Sequence, residues 1–372
     1  MFKILTSLAA LLLLLLAGRF TAAVTAQDST SAPLRVGIAG LTHAHVHGLL
    51  GQAQRGDILL VGIAEPNRDL AVRLTKQYGL SMKLVYSSLE EMLVTTKPQA
   101  VTAFGSIYDH LAVVQACAPK GIHVMVEKPL AVSLVHARQM AALATKHHIH
   151  LLTNYETTWY GSNLRAYQLV MQEKAVGQIR KVVVHDGHQG PKAIGVNPEF
   201  LAWLTDPVQN GGGALVDFGC YGADLMTWLM QGERPVSVTA ITQHLQPQVY
   251  PRVDDEATLL LAYPTAQGII QASWNWPYSR KDLEIYGQTG AVFALDPSHL
   301  RVRLSERAPA QEITVDAPKA PYHDPFAYLA AVVRGQAPED VLSSLSTNLI
   351  VVEILEAAKK SAQEGKTVYL RK

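Results

Sequence analysis

Three histidines alternate with other residues where a strand-like segment passes into a helical pattern. The segment "RVGIAGLTHAHVHGLL" covers residues 35–50 and contains His43, His45 and His47. Imidazole nitrogens are good ligands for zinc and copper, so three of them could hold a metal ion. Imidazoles at the start of a helix can also point to solvent or hydrogen-bond backbone carbonyls. We favour this second interpretation and predict no metal.

One observation supports the metal hypothesis and another weakens it. An H-x-H after a first strand is also found in metal-dependent amidohydrolases. Those barrels need further ligands at later strand ends, and this sequence shows no ordered set of them.

The same segment has features of a dinucleotide-binding turn. Gly37 and Gly40 lie at the end of the predicted strand, and Glu65 closes the next strand 25 residues after Gly40. In such sites glycine lets the backbone approach the pyrophosphate, and the acid accepts hydrogen bonds from the ribose. The fingerprint G-x-G-x-x-G is incomplete, because Thr42 and His45 stand at its second and third glycine positions. The cofactor contacts predicted here are Gly40, Leu41, Thr42, His43, His45 and Glu65.

Two downstream motifs carry most of the functional information. "GIHVMVEKPLAVS" ends a strand with Glu127, Lys128 and Pro129, and "NGGGALVDFGCYGADLMTWL" places Asp217 and Tyr221 four residues apart beside a glycine-rich turn. With them the chain resembles the glucose-fructose oxidoreductase, inositol dehydrogenase and rhizopine-catabolism (Gfo/Idh/MocA) family of NAD(P)-dependent oxidoreductases. E-K-P followed about 90 residues later by G-G-x-x-x-D-x-G is far more specific than a glycine fingerprint.

The resemblance extends from about Leu34 to the C-terminus and includes "VDDEATLLLAYP", "LEIYGQTG" and "EILEAAKKSAQEGK". It implies a dinucleotide-binding domain followed by a domain whose open sheet forms an oligomer interface. It also implies catalytic roles for Lys128, Asp217 and Tyr221, with Glu127 and Lys128 close to the cofactor. Most members have histidine where this chain has Tyr221, and tyrosine is similar to the glucose-fructose oxidoreductase and dihydrodiol dehydrogenase branch.

The chemistry of these residue types supports the assignment. A nicotinamide carries the hydride, so the protein has to orient the substrate and move one hydroxyl proton. A phenol is a poor base at neutral pH, but a nearby ammonium favours its ionised form. We therefore expect Lys128 to lower the pKa of Tyr221 and to polarise the substrate oxygen, while Asp217 positions one of them. In the structural alternative, Lys128 pairs with Glu127 or Asp217, and Tyr221 is a core aromatic.

Other residues have weaker assignments. "FGSIYDH" (residues 104–110) departs from the family's usual T-P-x-x-x-H, since it keeps His110 but has Phe104 and its neighbours where contacts to the nicotinamide ribose are expected. His185, His188 and Trp203 could line a sugar pocket, although structural roles suit them equally well.

The predicted cofactor is NAD. Glu65 favours NAD because a carboxylate would repel the 2′-phosphate of NADP. Arg68 lies nearby in the sequence and leaves NADP open.

These residues need a scaffold, and the pattern of segments predicts one. From Leu34 to about Thr153, short apolar runs such as "ILLVGIAE" alternate with helical patterns, which is typical of a Rossmann-type, doubly wound parallel sheet. After Asn154, longer strands predict an α+β domain with a large, mostly antiparallel open sheet, joined by hairpins. The predicted domains are residues 33–153 for the dinucleotide and residues 154–372 for substrate binding and oligomerisation.

The first 26 residues differ from the rest. Lys3 precedes an apolar run from about Ile4 to Ala17, and small residues precede a cleavage position after Ala26. The run is too short to cross a bilayer, so residues 1–26 are predicted to be a cleaved secretory signal, and an uncleaved anchor is the alternative. Export to the periplasm or beyond follows, with no stable membrane span after cleavage.

Composition limits the partners. The 372 residues are 48% hydrophobic and 17% charged, and 32 basic residues balance 31 acidic ones without a basic run. Nucleic acid is therefore not an expected partner. Cys117 and Cys220 are too few for a disulfide framework and are expected to be buried thiols.

These features together predict an exported NAD(P)-dependent oxidoreductase that acts on a sugar, polyol or sugar-like carbonyl and forms a homo-oligomer through its C-terminal sheet. Two alternatives stay open. NAD-dependent glycosidases of the same fold oxidise a sugar transiently, eliminate its glycosidic substituent and reduce it again, with no net cofactor turnover. A catalytically silent carbohydrate-binding protein would keep the fold without the dinucleotide.

Overall fold

The computed structural model describes residues 32–53, 55–339 and 342–370, and the predicted signal at residues 1–26 lies outside them. The strands in these ranges are β1 (Leu34–Ala39), β2 (Ile58–Ala64), β3 (Val85–Tyr86), β4 (Ala100–Ala103), β5 (His123–Glu127), β6 (Leu151–Asn154), β7 (Ile179–Gly187), β8 (Ser237–Gln243), β9 (Glu256–Ala262), β10 (Gln267–Ser273), β11 (Arg280–Gly287), β12 (Ala291–Ala294), β13 (His299–Arg303), β14 (Gln311–Thr314) and β15 (Val368–Tyr369).

The α-helices in the same ranges are α1 (Val46–Leu50), α2 (Arg68–Gln77), α3 (Leu89–Thr96), α4 (His110–Cys117), α5 (Leu134–His147), α6 (Gly161–Tyr167), α7 (Pro198–Leu204), α8 (Ala214–Asp217), α9 (Gly219–Leu229), α10 (Pro325–Val333) and α11 (Leu345–Glu364).

The first sheet has six parallel strands in the order β3-β2-β1-β4-β5-β6. Every residue of β4 and β6 is buried, as expected for strands covered by helices on both faces. The strand order reverses between β1 and β4, and in such sheets ligands bind outside the carboxyl ends of the strands at that point. The Rossmann-type, doubly wound prediction is confirmed.

The second sheet has nine strands in the order β14-β13-β12-β11-β7-β10-β9-β8-β15. All neighbours are antiparallel except β7 and β10, which run parallel. The mostly antiparallel open sheet is confirmed, but the expectation of hairpin connections is wrong between β10 and β11. These two strands are consecutive in the chain, yet β7 lies between them in the sheet.

Helices cover one face of the second sheet. All residues of α9 are buried, and α11 packs beside α9 and against β8. Residues on the opposite face are open to solvent, and Ile241 and Leu260 there are 66% and 45% exposed. The alternation of buried and exposed residues along β8 and β9 follows from the pleat of the strands.

The last part of the chain returns to the first sheet. Phe326 and Leu329 of α10 are buried in the same apolar cluster as Val36 of β1 and Ile63 of β2. The core of the dinucleotide-binding sheet is therefore completed by residues that lie far beyond the predicted boundary at residue 153.

Local features also agree with the sequence. Helix α11 ends at Gly365, whose φ of +63° is the left-handed conformation that glycine adopts readily. Cys117 and Cys220 are free and buried. Within the described ranges, no helix combines the length and the hydropathy needed to cross a membrane.

Candidate active site

The predicted cofactor turn lies across the carboxyl ends of β1, β2 and β4. Gly40 follows β1 with φ at +81°, a conformation that favours glycine. A side chain there would also collide, because a Cβ atom would lie 2.8 Å from the backbone N of Gly105. The first glycine of the fingerprint is thus required by its backbone conformation and by the close approach of the two turns.

Glu65 holds this turn from the end of β2. The side chain is buried, and its carboxylate accepts hydrogen bonds from the backbone N–H groups of Leu41 and Asn67, both at 2.8 Å. Burial raises the pKa of Glu65, and the two N–H groups oppose that rise. The side chain of Leu41 is fully buried, so Leu41 contributes its backbone to the turn.

Thr42, at the second glycine position, is held by the other domain. Trp203 Nε1 donates to Thr42 Oγ1 at 2.9 Å, and Asn197 Nδ2 donates to the Thr42 carbonyl oxygen at 3.3 Å. Thr42 Oγ1 donates to the carbonyl oxygen of Phe104 at 3.3 Å, while the Phe104 ring is buried in the core. Trp203, a candidate for the sugar pocket, therefore contacts the cofactor turn instead, and Phe104 contributes its backbone.

His43, His45 and Glu127 meet beside the turn. His45 Nδ1 lies 2.9 Å from Glu127 Oε2, and the N–H of His45 donates to His43 Nδ1 at 3.1 Å. Burial holds the pKa of His43 well below its ordinary value, so His43 is neutral with its proton on Nε2. Burial disfavours the charged form of Glu127, but His45 and the amide of Asn154 lower its pKa to about 2.

The same three residues offer the donors of a metal site. One ligand atom from each of His43, His45 and Glu127 lies within 4.8 Å of the other two. Two observations oppose metal binding. His43 Nδ1 already accepts a backbone N–H, and the positive charge of Lys128 disfavours a second positive charge at His43. His47 is not part of the cluster, because its Nδ1 lies 2.8 Å from the Tyr78 hydroxyl.

His110 lies behind the E-K-P motif. Its ring is fully buried, and Nδ1 lies 3.1 Å from the carbonyl oxygen of Leu130. Burial lowers the pKa of His110 to about 4, so the ring is neutral. His110 thus supports the turn after Lys128, and its ring does not line the cavity described below.

Lys128 and Asp217 form a buried ion pair. Lys128 Nζ lies 2.5 Å from Asp217 Oδ1 and 2.9 Å from the Asp217 carbonyl oxygen, and Trp274 Nε1 donates to Asp217 Oδ2 at 2.9 Å. Burial acts to lower the pKa of Lys128 and to raise that of Asp217, but their mutual attraction outweighs it, so the pKa of Lys128 is raised and that of Asp217 is lowered. Asp217 therefore fixes a charged Lys128 ammonium.

Tyr221 presents its ring to two ammonium groups. Lys128 Nζ lies 5.1 Å and Lys281 Nζ 4.7 Å from the ring centroid. Burial raises the pKa of Tyr221 well above its ordinary value, and the carboxylate of Glu156 adds to this. The expectation that Lys128 lowers this pKa is therefore wrong, because burial and the surrounding acids dominate while the lysine is paired with Asp217. Tyr221 is a protonated phenol.

The glycine-rich turn before α8 determines where Asp217 lies. The two carboxylate oxygens of Asp254 accept the N–H groups of Gly213 at 2.9 Å and Leu215 at 2.7 Å. A Cβ atom on Gly213 would lie 1.8 Å from the Asp254 carbonyl oxygen, so the close approach requires glycine. Helix α8 begins at this contact and ends at Asp217.

Three charged residues of the site were not predicted from the sequence. Lys281 of β11 forms an ion pair with Glu156, and Tyr160 donates to Glu156 at 2.5 Å. Asp186 lies opposite Lys281 in the sheet, is 1% exposed, and has no hydrogen-bond partner among the described residues for either carboxylate oxygen. Burial raises the pKa of Asp186 well above its ordinary value. Glu156 could have been found, because it follows the carboxyl end of a parallel strand.

A cavity adjoins these residues. Its inner part has a volume of about 190 Å³. Both domains contribute to its walls, which include His43, His45, Lys128, His188, Tyr221 and Lys281. An outer cleft of about 500 Å³ shares His188 and Lys281 with the inner part and continues along Glu156 and Arg280. His188 therefore lies where a substrate contact was expected.

His185 lies elsewhere. Successive residues of a strand point to opposite faces, so His185 points away from its neighbour Asp186. Its Nδ1 lies 2.8 Å from Asp282 Oδ1, and it lines neither part of the cavity. The structure does not bring His185 to the inner cavity.

Two sequence profiles match the chain. Residues 34–155 match the oxidoreductase family with an NAD-binding Rossmann fold, and residues 164–293 match the GFO/IDH/MocA C-terminal domain. The chain belongs to the Gfo/Idh/MocA oxidoreductase family. Membership in this NAD-binding family agrees with the strand order, the cofactor turn and the Lys128–Asp217 pair.

Relatives in the family are distant in sequence. Trans-1,2-dihydrobenzene-1,2-diol dehydrogenase of Sus scrofa is 24% identical over 344 residues, covering 88% of this chain and 96% of the relative. Aldose-aldose oxidoreductase from Caulobacter crescentus, solved with glycerol, has a TM-score of 0.76 at 22% identity and covers 91% of this chain and all of its own. An inositol dehydrogenase homolog from Azotobacter vinelandii, solved with NAD⁺, has a TM-score of 0.78 at 19% identity. The match covers 91% of this chain and 98% of the homolog. These structures share the fold.

The cofactor turn fits the dinucleotide of this Gfo/Idh/MocA protein. The backbone N–H groups of Thr42 and Ala44 donate to no residue in the described part of the chain, so both are free for phosphate oxygens. Glu65 lies at the end of β2, where the ribose of a dinucleotide is bound in this type of sheet.

Proposed function

We propose that this protein transfers hydride between NAD and a sugar, a polyol or a sugar-like carbonyl. The supporting observation is that Lys128, Asp217 and Tyr221 come together beside a cavity whose other wall is the cofactor turn. The names of similar proteins point to substrates with neighbouring hydroxyl groups, namely a dihydrodiol, an aldose and inositol.

The residues of the cavity have distinct roles in this proposal. Bound NAD supplies the hydride chemistry. In reduction the Tyr221 hydroxyl gives its proton to the substrate oxygen and becomes a phenolate, and in oxidation that phenolate takes the proton of the substrate hydroxyl. The Lys128 ammonium, fixed by Asp217, stabilises negative charge on that same oxygen. His188 and Lys281 are available to bind the other hydroxyl groups of the substrate.

The decisive experiment starts with the mature protein purified from its native compartment. Mass spectrometry identifies any bound dinucleotide and any metal, and nicotinamide fluorescence follows incubation with glycerol, myo-inositol, D-glucose and D-xylose. We expect bound or readily acquired NAD and reduction of NAD by at least one of these compounds. Metal without dinucleotide would contradict the proposal and support a site at His43, His45 and Glu127.

Cleavage of glycosides is a second candidate function. The outer cleft, with a volume of about 500 Å³, offers room for a substituent beyond the sugar in the inner cavity. An aryl glycoside such as p-nitrophenyl β-D-glucoside tests this candidate. Release of nitrophenol with no net change in the nicotinamide would establish it and exclude a simple dehydrogenase. If no dinucleotide binds at all, a carbohydrate-binding protein without catalysis remains.

The preference for NAD over NADP is also part of the proposal. Glu65 is buried at the end of β2, and its carboxylate would repel a 2′-phosphate. Titration of both dinucleotides should give tighter binding of NAD, and Glu65→Gln should reduce the difference. Equal affinities in the wild-type protein would contradict this preference.

Export through the N-terminal segment is proposed on the pattern of residues 1–26. Cell fractionation with and without this segment tests it, and we expect the shortened protein to stay in the cytoplasm. A full-length protein found only in the cytoplasm would contradict export.

Assembly through the open sheet is proposed on its exposed apolar residues. Ile241 and Leu260 lie on the face that the helices leave uncovered. Light scattering should show an oligomer, and Ile241→Lys should shift it toward monomer, because a charge in an apolar interface is strongly unfavourable. A monomeric wild-type protein would contradict assembly.

A further inference from the structure

Helix α7 of the C-terminal part of the chain concentrates its contacts on one turn of the dinucleotide-binding domain. Its residue Trp203 and the preceding Asn197 bind the hydroxyl and the carbonyl of Thr42. The ring centroids of Phe200 and Trp203 lie 4.6 Å and 5.9 Å from that of His43. Two successive residues of the turn are thus held by one helix.

Thr42 stands where a dinucleotide fingerprint has its second glycine. That glycine allows the backbone to approach the pyrophosphate, and a side chain there is an obstruction. The Thr42 hydroxyl has a donor in Trp203 Nε1 and an acceptor in the carbonyl of Phe104, so both of its hydrogen bonds are made within the protein. The rotamer of the Thr42 side chain is therefore fixed in part by Trp203, which belongs to the other domain.

We propose that α7 is a clamp on the dinucleotide turn, in which the Trp203 N–H holds the Thr42 side chain away from the position of the pyrophosphate. The ligand is NAD, so the proposal rests on dinucleotide binding and not on the substrate class proposed above. Trp203 acts through Thr42 and is a positioning residue. Without the Trp203 donor, the Thr42 side chain rotates, and NAD binds more weakly and dissociates faster.

The test uses the full chain and variants that each remove one atom or group. Trp203→Phe removes the N–H but keeps an aromatic ring against His43, and Thr42→Val removes the hydroxyl with almost the same shape. Calorimetry gives the Kd of NAD, and a chase of NAD-loaded protein with excess NADH gives its release rate. Each single variant should raise the Kd about five- to tenfold, which is the effect of one net hydrogen bond.

Two further variants separate the clamp from general effects on packing. The double variant should bind NAD no more weakly than either single variant, because both substitutions break the same bond. Thr42→Gly removes the obstruction itself, so it should bind NAD at least as tightly as the wild type. Trp228→Phe in α9, where the indole stacks on Tyr167 at 4.2 Å, is the matched control and should leave the Kd unchanged.

Several outcomes would overturn the clamp. A Kd within twofold of the wild type for Trp203→Phe would do so, as would effects that multiply in the double variant. Thermal midpoints of all variants without NAD identify any general loss of stability. If Trp203→Phe does not fold, the two Thr42 variants still test the proposal. It requires Thr42→Val to bind NAD more weakly than the wild type and Thr42→Gly to bind NAD at least as tightly.

Discussion

Lys128 and Asp217 neutralise each other's charge in the protein interior, where both side chains are only 7% exposed. Lys128→Met would leave the Asp217 carboxylate buried with Trp274 Nε1 as its remaining side-chain donor. Removing one partner of a buried ion pair costs about 3–5 kcal/mol, whereas replacing both by apolar residues costs much less. Urea unfolding should therefore show a larger decrease in the free energy of unfolding for Lys128→Met than for the double variant Lys128→Met/Asp217→Leu. The reverse order would contradict mutual dependence.

In the proposed mechanism Tyr221 supplies one proton, so removal of its hydroxyl should affect turnover alone. Tyr221→Phe is expected to lower kcat by about 10²- to 10⁴-fold on the identified substrate, the usual contribution of a general acid or base. NAD affinity should not change. Tyr155→Phe is the matched control, because the Tyr155 ring lies 5.5 Å from that of Tyr221 but its hydroxyl has no partner among the described residues. Similar losses in both variants would show that packing, not proton transfer, is responsible.

Asp186 should make the folded protein less stable as the pH rises. Its folded-state pKa is raised by burial, while the unfolded chain releases the proton near pH 4. The contribution to stability is complete below that pH and is lost as the pH rises through the folded-state pKa. Asp186→Asn should therefore have a higher free energy of unfolding than the wild type at pH 7 and nearly the same value as the wild type at pH 3. Urea titrations at both values test this, and a less stable Asn variant at pH 7 would contradict it.

At the scale of residues, motifs predicted three candidate residues that the structure brings together, but not the residues around them. Lys128, Asp217 and Tyr221 belong to patterns with fixed spacing, so sequence alone brings them into one hypothesis. Lys281 and Asp186 lie in ordinary strands, and only the register of β7 against β11 places them opposite each other. The pKa of Tyr221 could not be predicted, because burial, which dominates it, depends on the complete fold.

At the scale of elements, the turn before α8 is held by close backbone contacts. Gly213→Ala would place Cβ 1.8 Å from the Asp254 carbonyl oxygen, so the turn has to move and displace α8. We expect a loss of turnover of at least tenfold, because even a small misplacement of a site residue costs that much or more. Activity assays and NAD titration measure the effect, and NAD binding should persist. Gly232→Ala is the control, because it adds a methyl group at a glycine with positive φ away from the site. Comparable losses of turnover in both variants would contradict the special role of Gly213.

Periodicity predicted single elements better than their pairing. The strands of the first sheet follow the apolar runs closely, because a strand buried on both faces has a continuous apolar sequence. The parallel pairing of β7 with β10 has no local signal, since it depends on the long connection through α7, α8 and α9. The contact between α7 and the cofactor turn is equally hidden, because Trp203 and Thr42 are far apart in the sequence.

At the scale of the whole molecule, the two parts of the chain share a core. Phe326→Ala should destabilise the protein by about 3–5 kcal/mol, the usual cost of removing a buried aromatic ring. Because α10 packs on the first sheet, we expect loss of NAD binding and loss of helical circular dichroism at the same urea concentration. Val94→Ala, an exposed residue of α3, is the control. Separate transitions would show that the two domains unfold independently.

The return of α10 to the first sheet also determines when that sheet can finish folding. The apolar cluster around β1 and β2 receives Phe326 and Leu329 from a segment that is translated long after these two strands. Until then the nascent N-terminal domain keeps an apolar face open, which a chaperone can bind. Completion of the first sheet's core is therefore delayed until α10 has been synthesised.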